Sequence, residues 1–134
     1  FVRQHHRRAL VLGSGGASKA VRASLQSFGI ECVVASRQTT DNTIPYAEID
    51  RNIIDECRII VNATPLGMFP DTDSYPDIPY QYIGGLHLLF DLIYNPSETL
   101  FLKKGRQQGA KTVNGLEMLI SQALKAIEIF NIRQ

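Results

Sequence analysis

An apolar run that halts at a cluster of glycines and resumes with a helical period leaves a chain few ways to fold. Ala9-Leu10-Val11-Leu12 is followed by Gly13-Ser14-Gly15-Gly16, after which Ala17, Ala20, Val21, Ser24, Leu25 and Phe28 recur at i, i+3, i+4, i+7, i+8 and i+11. These stretches predict a buried strand, a tight turn and a helix laying one face on a sheet. Gly29 stands where a glycine closes such a helix. Glycines at 13, 15 and 16 let the backbone turn sharply and approach a ligand, and the unpaired N–H groups of the new helix favour a phosphate. Ser18 replaces the third glycine of the dinucleotide fingerprint and is still small enough for close helix–strand packing. Strand, turn and helix in that order strengthen what a glycine turn alone would leave weak.

The same alternation continues. Residues 30–37 read as a second strand, 43–46 as a short third strand, and 47–56 as a brief helix with Ile49, Ile53 and Ile54 inward. Residues 58–62 read as a fully buried strand of a parallel sheet, stopped by Pro65, which cannot continue the ladder. The connection 69–85 carries Pro70, Pro76, Pro79 and several acids; such a length suggests a lid or a surface excursion, with the acids solvated. Residues 87–94 form the next strand, and Asn95-Pro96 a turn. Ser97 is the expected N-cap of a helix reaching Gln108 and closed by Gly109. Residues 111–113 give a last short strand. Asn114-Gly115-Leu116-Glu117 then resembles a capping box opening a final helix, whose apolar stripe is Leu116, Leu119, Ile120, Ala123, Leu124, Ile127 and Phe130. The pattern predicts a Rossmann-type, doubly wound, mostly parallel sheet with helices on both faces, a three-layer αβα architecture.

A length of 134 residues suits one domain with a real core. The net charge of +1 and the lack of a basic stripe argue against a polyanionic partner such as nucleic acid. The brief cluster His5, His6, Arg7, Arg8 reads as a solvated lead-in. Cys32 and Cys57 sit in or beside apolar runs, as free thiols of a reducing compartment do, and no His/Cys set has metal-ligand spacing. His87, alone at a strand start, is expected to be exposed or internally satisfied. No signal peptide or span of ~20 apolar residues stands out, so a cytoplasmic location is expected. The sequence opens at Phe1 rather than Met, which suggests the end of a longer chain cut to leave one domain.

The tip of the second strand bears on cofactor choice. In nicotinamide-binding folds a residue about 20 positions beyond the glycines meets the adenosine ribose, and NAD enzymes place a carboxylate there. Here the tip is Ser36-Arg37. A hydroxyl and a guanidinium suit the 2′-phosphate of NADP, although Arg37 also fits an ordinary exposed strand end. The same tip counts against a methyltransferase, which typically wants an acid at this point.

Five stretches stand in one family's order: Gly13-Ser14-Gly15-Gly16-Ala17-Ser18, Ser36-Arg37, Asn62-Ala63-Thr64-Pro65-Leu66-Gly67-Met68, Phe90-Asp91-Leu92-Ile93-Tyr94-Asn95-Pro96, and Asn114-Gly115-Leu116-Glu117-Met118-Leu119-Ile120-Ser121-Gln122-Ala123. On them the whole chain resembles the C-terminal, NADP-binding domain of shikimate dehydrogenase, the stretches starting at Asn62 and Asn114 being the more specific. The resemblance implies NADPH-dependent reduction of 3-dehydroshikimate to shikimate, a step of aromatic amino-acid biosynthesis. By it, Gly13, Ser14, Gly15, Gly16 and Ala17 would cradle the pyrophosphate and Ser36 and Arg37 would meet the 2′-phosphate. Ala63 and Thr64 would line the ribose and nicotinamide, and Leu92 and Gly115 would lie against the nicotinamide. Tyr94 and Gln122 match positions that touch the substrate; from periodicity alone Gln122 is equally a rim residue of the core, and Tyr94 equally a core aromatic. The family's catalytic Lys and Asp belong to an N-terminal domain with no counterpart here, so the chain alone is expected to be inactive. Two departures are Ser36-Arg37-Gln38 in place of Asn-Arg-Thr, and Thr40-Asp41 where a second basic residue often stands; both weaken the expected preference for NADP. An NAD-using quinate/shikimate dehydrogenase and a non-catalytic nucleotide-sensing module remain the alternatives.

Overall fold

In the computed structural model the described residues are 8–38, 40 and 42–115. Six strands form one sheet: β1 (Arg8–Leu12), β2 (Glu31–Ala35), β3 (Thr43–Ile44), β4 (Ile59–Asn62), β5 (Leu88–Asp91) and β6 (Lys111–Asn114). Their order is β3-β2-β1-β4-β5-β6 and every adjacent pair is parallel. That is the doubly wound order, and its direction reverses between β1 and β4. Parallel strands covered on both faces need near-continuous apolar runs. Ala9 to Leu12 and Ile59 to Asn62 are accordingly all buried.

Because side chains alternate along a strand, the core divides by face. One cluster joins Ala9, Val11, Ile59, Val61 and Phe90 to Val21 and Leu25 of α1 (Gly16–Ser27). The other joins Leu10, Leu12, Ile60 and Leu89 to Ile54 of α2 (Arg51–Glu56) and to Phe101 and Leu102 of α3 (Leu100–Gln107). Helices on opposite faces make the three layers. The buried face of α1 is Ser18, Val21 and Leu25, while Ala17 and Ala20 are exposed; the helix is turned so that its first residues look outward at the strand tips. Gly29 (φ +78°) ends it as expected, with the N–H of Ile30 donating to the carbonyl of Leu25.

Several expected boundaries shift. The region 47–56 is a 3₁₀ turn (Tyr46–Glu48) followed by α2, because Asp50 accepts from the Ile53 N–H and starts the helix there. The α3 helix is capped by Thr99 rather than Ser97, its hydroxyl accepting from the Leu102 N–H. The β5 strand stops at Asp91, where the carboxylate takes the Ile93 N–H and bends the chain out of the ladder.

The connection 69–85 is a surface excursion over its first part, where 69–75 is mostly exposed, but it turns inward after that. Pro76, Ile78 and Ile83 are buried, and Tyr80, whose hydroxyl donates to the Pro76 carbonyl at 2.7 Å, packs edge-on against Phe101. It covers the sheet where a crossover helix would lie, which its prolines forbid. The acids Asp71, Asp73 and Asp77 are exposed as expected.

At the amino edge, Arg8 pairs with Glu31 and Glu56. His87 there is buried and satisfied: the Gly84 N–H donates to Nδ1 (3.0 Å), so Nε2 carries the proton and donates to the Ile54 carbonyl (2.7 Å). Cys57 is buried and Cys32 half-buried; neither is in a disulfide, and burial pushes their thiols up to about 12 and about 11. The expected final helix, with Gln122, lies outside the described residues. No described helix is long and apolar enough to cross a membrane.

Candidate functional site

Strand register assembles the site. Ala35 pairs with Leu12, Leu12 with Asn62, Asn62 with Asp91, and Asp91 with Asn114. These five residues form one rung across the sheet and each is the last of its strand. The next residue in each case is Ser36, Gly13, Ala63, Leu92 and Gly115. Five sequence-predicted positions are thus the first residue past a common rung, at the carboxyl edge where open α/β sheets bind ligands.

At the switch point, Gly13 has φ +107° and its N–H donates to the Ala35 carbonyl (2.8 Å). A Cβ there would stand 3.1 Å from the Ala63 carbonyl oxygen and 3.1 Å from Thr64 Cγ2. Glycine at 13 is therefore demanded by backbone conformation and by the close approach of the β4 tip. Gly15 and Gly16 differ: a Cβ on either meets nothing within 4 Å, so their backbone faces open space. Of the three described α-helices, α1 alone lacks a side-chain cap, and its first turn holds no acid. Its N-terminal N–H groups are left for an outside anion. This open, uncapped, glycine-lined turn fits a pyrophosphate.

The β2 tip departs from expectation in one respect. Ser36 is buried; its hydroxyl accepts from the Gln38 N–H (3.1 Å) and bonds to Ser14 Oγ (2.9 Å). Ser36 ties the glycine turn to β2, and exposed Arg37 is the residue that projects outward. Tyr46 lies within reach of its charge; burial raises the phenol's pKa and Arg37 partly offsets that.

Three residues carrying no role in the sequence reading organise the β4 and β5 tips. Asn62, Asp91 and Thr99 are all buried. The Asn62 amide donates to both Asp91 oxygens (3.2 and 3.3 Å), and Thr99 donates to Asp91 Oδ2 at 2.6 Å. On its other side Asn62 Oδ1 accepts from the Thr64 N–H (3.0 Å) and hydroxyl (2.6 Å). Burial raises the Asp91 pKa, against hydrogen bonds from Thr99, Ile93 and Asn62 that lower it. The signal for this cluster was two polar residues, Asn62 and Asp91, each closing an otherwise apolar strand.

Leu92 is half-buried against the α1-side core. Gly115 is buried, and a Cβ on it would meet the Asp91 carbonyl oxygen at 2.9 Å. Tyr94 is 51% exposed, so it is not a core aromatic. Among the described residues no His/Cys/Asp/Glu group could hold a metal.

A six-stranded parallel sheet in this order, with an open glycine turn at its switch point, is the fold of Rossmann-type dinucleotide-binding proteins. No protein-family model matches the chain. Individual proteins do. The chain is 42% identical over 132 residues to shikimate dehydrogenase (NADP(+)) of Clostridium beijerinckii, covering 91% of this chain and 47% of that protein. It is 37% identical over 138 residues to the same-named protein of Methanosphaera stadtmanae, covering 90% and 49%. Among solved structures, shikimate 5-dehydrogenase of Thermus thermophilus in complex with NADP(H) and shikimate superposes with a TM-score of 0.69 at 31% identity, covering 91% of this chain and 48% of that one. The chain is similar in sequence to proteins named shikimate dehydrogenase along nine-tenths of its own length, and spans about half the length of the curated relatives it matches.

Proposed function

We propose that residues 1–134 are the NADP-binding domain of a shikimate dehydrogenase, the half that holds the cofactor for reduction of 3-dehydroshikimate to shikimate. The observation that supports it most is the shared rung: it delivers Gly13, Ser36, Ala63, Leu92 and Gly115 to one edge, beside the uncapped start of α1. When bound, NADPH supplies the hydride. The chain's task is to bind and orient. The N–H groups from Gly15 to Ala17 take the pyrophosphate, and Arg37 takes the 2′-phosphate. Ala63 and Thr64 line the ribose and nicotinamide, and Leu92 and Gly115 back the nicotinamide. Tyr94 and Gln122 contact the substrate, which is shared with a second domain carrying the catalytic Lys and Asp. On this reading the chain alone binds cofactor without turnover. We assign it to the cytoplasm, a compartment consistent with two free cysteines.

The test is calorimetry with NADPH and NADH. A charge-assisted contact to a phosphate contributes about 1.5–3 kcal/mol, so Arg37→Ala should weaken NADPH roughly tenfold or more and leave NADH nearly unchanged. Equal losses for the two would remove Arg37 from its role. No heat with either nucleotide would overturn the function.

A further inference from the structure

The cluster formed by Asp91, Asn62 and Thr99 is too far-reaching to be only a buried knot. From Asp91, one path runs through the Asn62 amide to Thr64, whose Oγ1 also accepts from the Leu66 N–H (3.1 Å) and so folds the β4 tip. A second runs through the Ile93 N–H, which sets the bend after Leu92. A third runs through Thr99 to the start of α3, and the Asp91 carbonyl accepts from the Gly115 N–H. The orientation of the Asn62 amide is forced. A backbone N–H can only donate, so Oδ1 must face Thr64, and the NH₂ must then face the carboxylate. An ionised Asp91 fits this set: every group directed at it is a donor.

We propose that Asp91 is a positioning residue for the cofactor's nicotinamide end: through Asn62 and Thr99 it fixes the separation of the β4 and β5 tips between which that ring sits. This rests on the function proposed above. The adenosine end is held by different residues, Arg37 and the glycine turn, which no hydrogen bond of this cluster reaches.

Asp91→Asn keeps the shape and puts an NH₂ where a donor already points, so one contact of the cluster must break. The experiment compares NADPH with adenosine 2′,5′-bisphosphate, a probe that lacks nicotinamide, by calorimetry. It also follows the fluorescence of bound NADPH, in a chain that has no tryptophan to interfere. The wild-type chain should bind both probes. Asp91→Asn should weaken NADPH about tenfold, leave the bisphosphate unchanged, and return nicotinamide emission toward that of free NADPH. A purely structural role would give equal losses for both probes, or a lowered melting temperature with neither affinity changed; either result overturns the proposal. Should Asp91→Asn fail to fold, Thr99→Val and Thr99→Ser decide. The first should show the same split and the second, which keeps the hydroxyl, should not; no split in Thr99→Val overturns the proposal. A wild-type chain that binds neither probe would take down the underlying function as well, a result visible before any variant is made.

Discussion

Gly13 concentrates two constraints on one α-carbon. A φ of +107° is outside what L side chains readily adopt, and the β4 tip leaves a Cβ only 3.1 Å from a carbonyl oxygen. Backbone strain of this kind costs about 1–3 kcal/mol, so Gly13→Ala should lower stability by at least that much in urea denaturation and weaken NADPH as Ala63 and Thr64 are pushed away. Gly16→Ala, with open space around its Cβ, should melt like wild type and lose only nucleotide affinity. A second residue-scale effect lies away from the site. Arg106 Nε and Nη2 both donate to Glu98 (2.7 and 3.2 Å), and that hydrogen bonding holds the Glu98 pKa below the usual value. A depressed carboxylate pKa adds stability above the unfolded value and loses it as pH falls through the folded one. Glu98→Gln should therefore cost a little stability at neutral pH, nothing in acid below the folded pKa, and less in high salt because the pair is exposed. Residues whose placement follows from local chemistry were legible in the sequence: Gly13 at the tight turn and Arg37, exposed just past the end of β2. Ser36 was only half legible: its place at the tip follows from spacing, but its inward turn depends on Ser14, which the chain brings across from another strand.

Helix starts show why element boundaries are harder to read than elements. Both Ser97 and Thr99 are acceptable N-caps, and propensity does not separate them. Thr99 wins because Asp91, on a neighbouring strand, takes its hydroxyl proton and leaves its lone pair for Leu102. The consequence is measurable. Asp50→Ala deletes an exposed cap of α2 and should cost about 1 kcal/mol. Thr99→Ala deletes the cap of α3 and also strips a buried carboxylate of a donor, which adds about 1–3 kcal/mol. Denaturant midpoints should rank wild type, Asp50→Ala and Thr99→Ala in falling order, and equal midpoints for the two variants would deny the coupling. The connection 69–85 misleads for a related reason. Its prolines mark irregular chain correctly, yet Ile78 and Ile83 are buried and the partly buried Tyr80 packs beside them without any period that a sequence reading could detect.

At the scale of the molecule, the alternation of strand and helix was enough to give a doubly wound parallel sheet, since each βα unit is punctuated by glycine or proline. That the strand tips share the carboxyl edge follows from the doubly wound order, but which residues stand on one rung was not legible, because register is a property of pairs. That register brings five strand tips to one carboxyl edge, and for the proposed nucleotide site it has a thermodynamic corollary. A nucleotide that touches the tips of β1, β2, β4, β5 and β6 binds only when all five are in place, so its binding energy is added to global unfolding rather than to one loop. Ligand at a hundred times its Kd stabilises the folded state by about 2.7 kcal/mol. For a domain of this size that is a rise in melting temperature of roughly 10 °C. NADPH should produce it in a single sharpened transition, with amide exchange slowed through all five strands. If Arg37 holds the 2′-phosphate as proposed, NADH at the same concentration should produce less, and in Arg37→Ala the two nucleotides should shift the melt alike. A rise confined to the first βα unit, with exchange in β5 and β6 unchanged, would mean that the nucleotide never spans the edge.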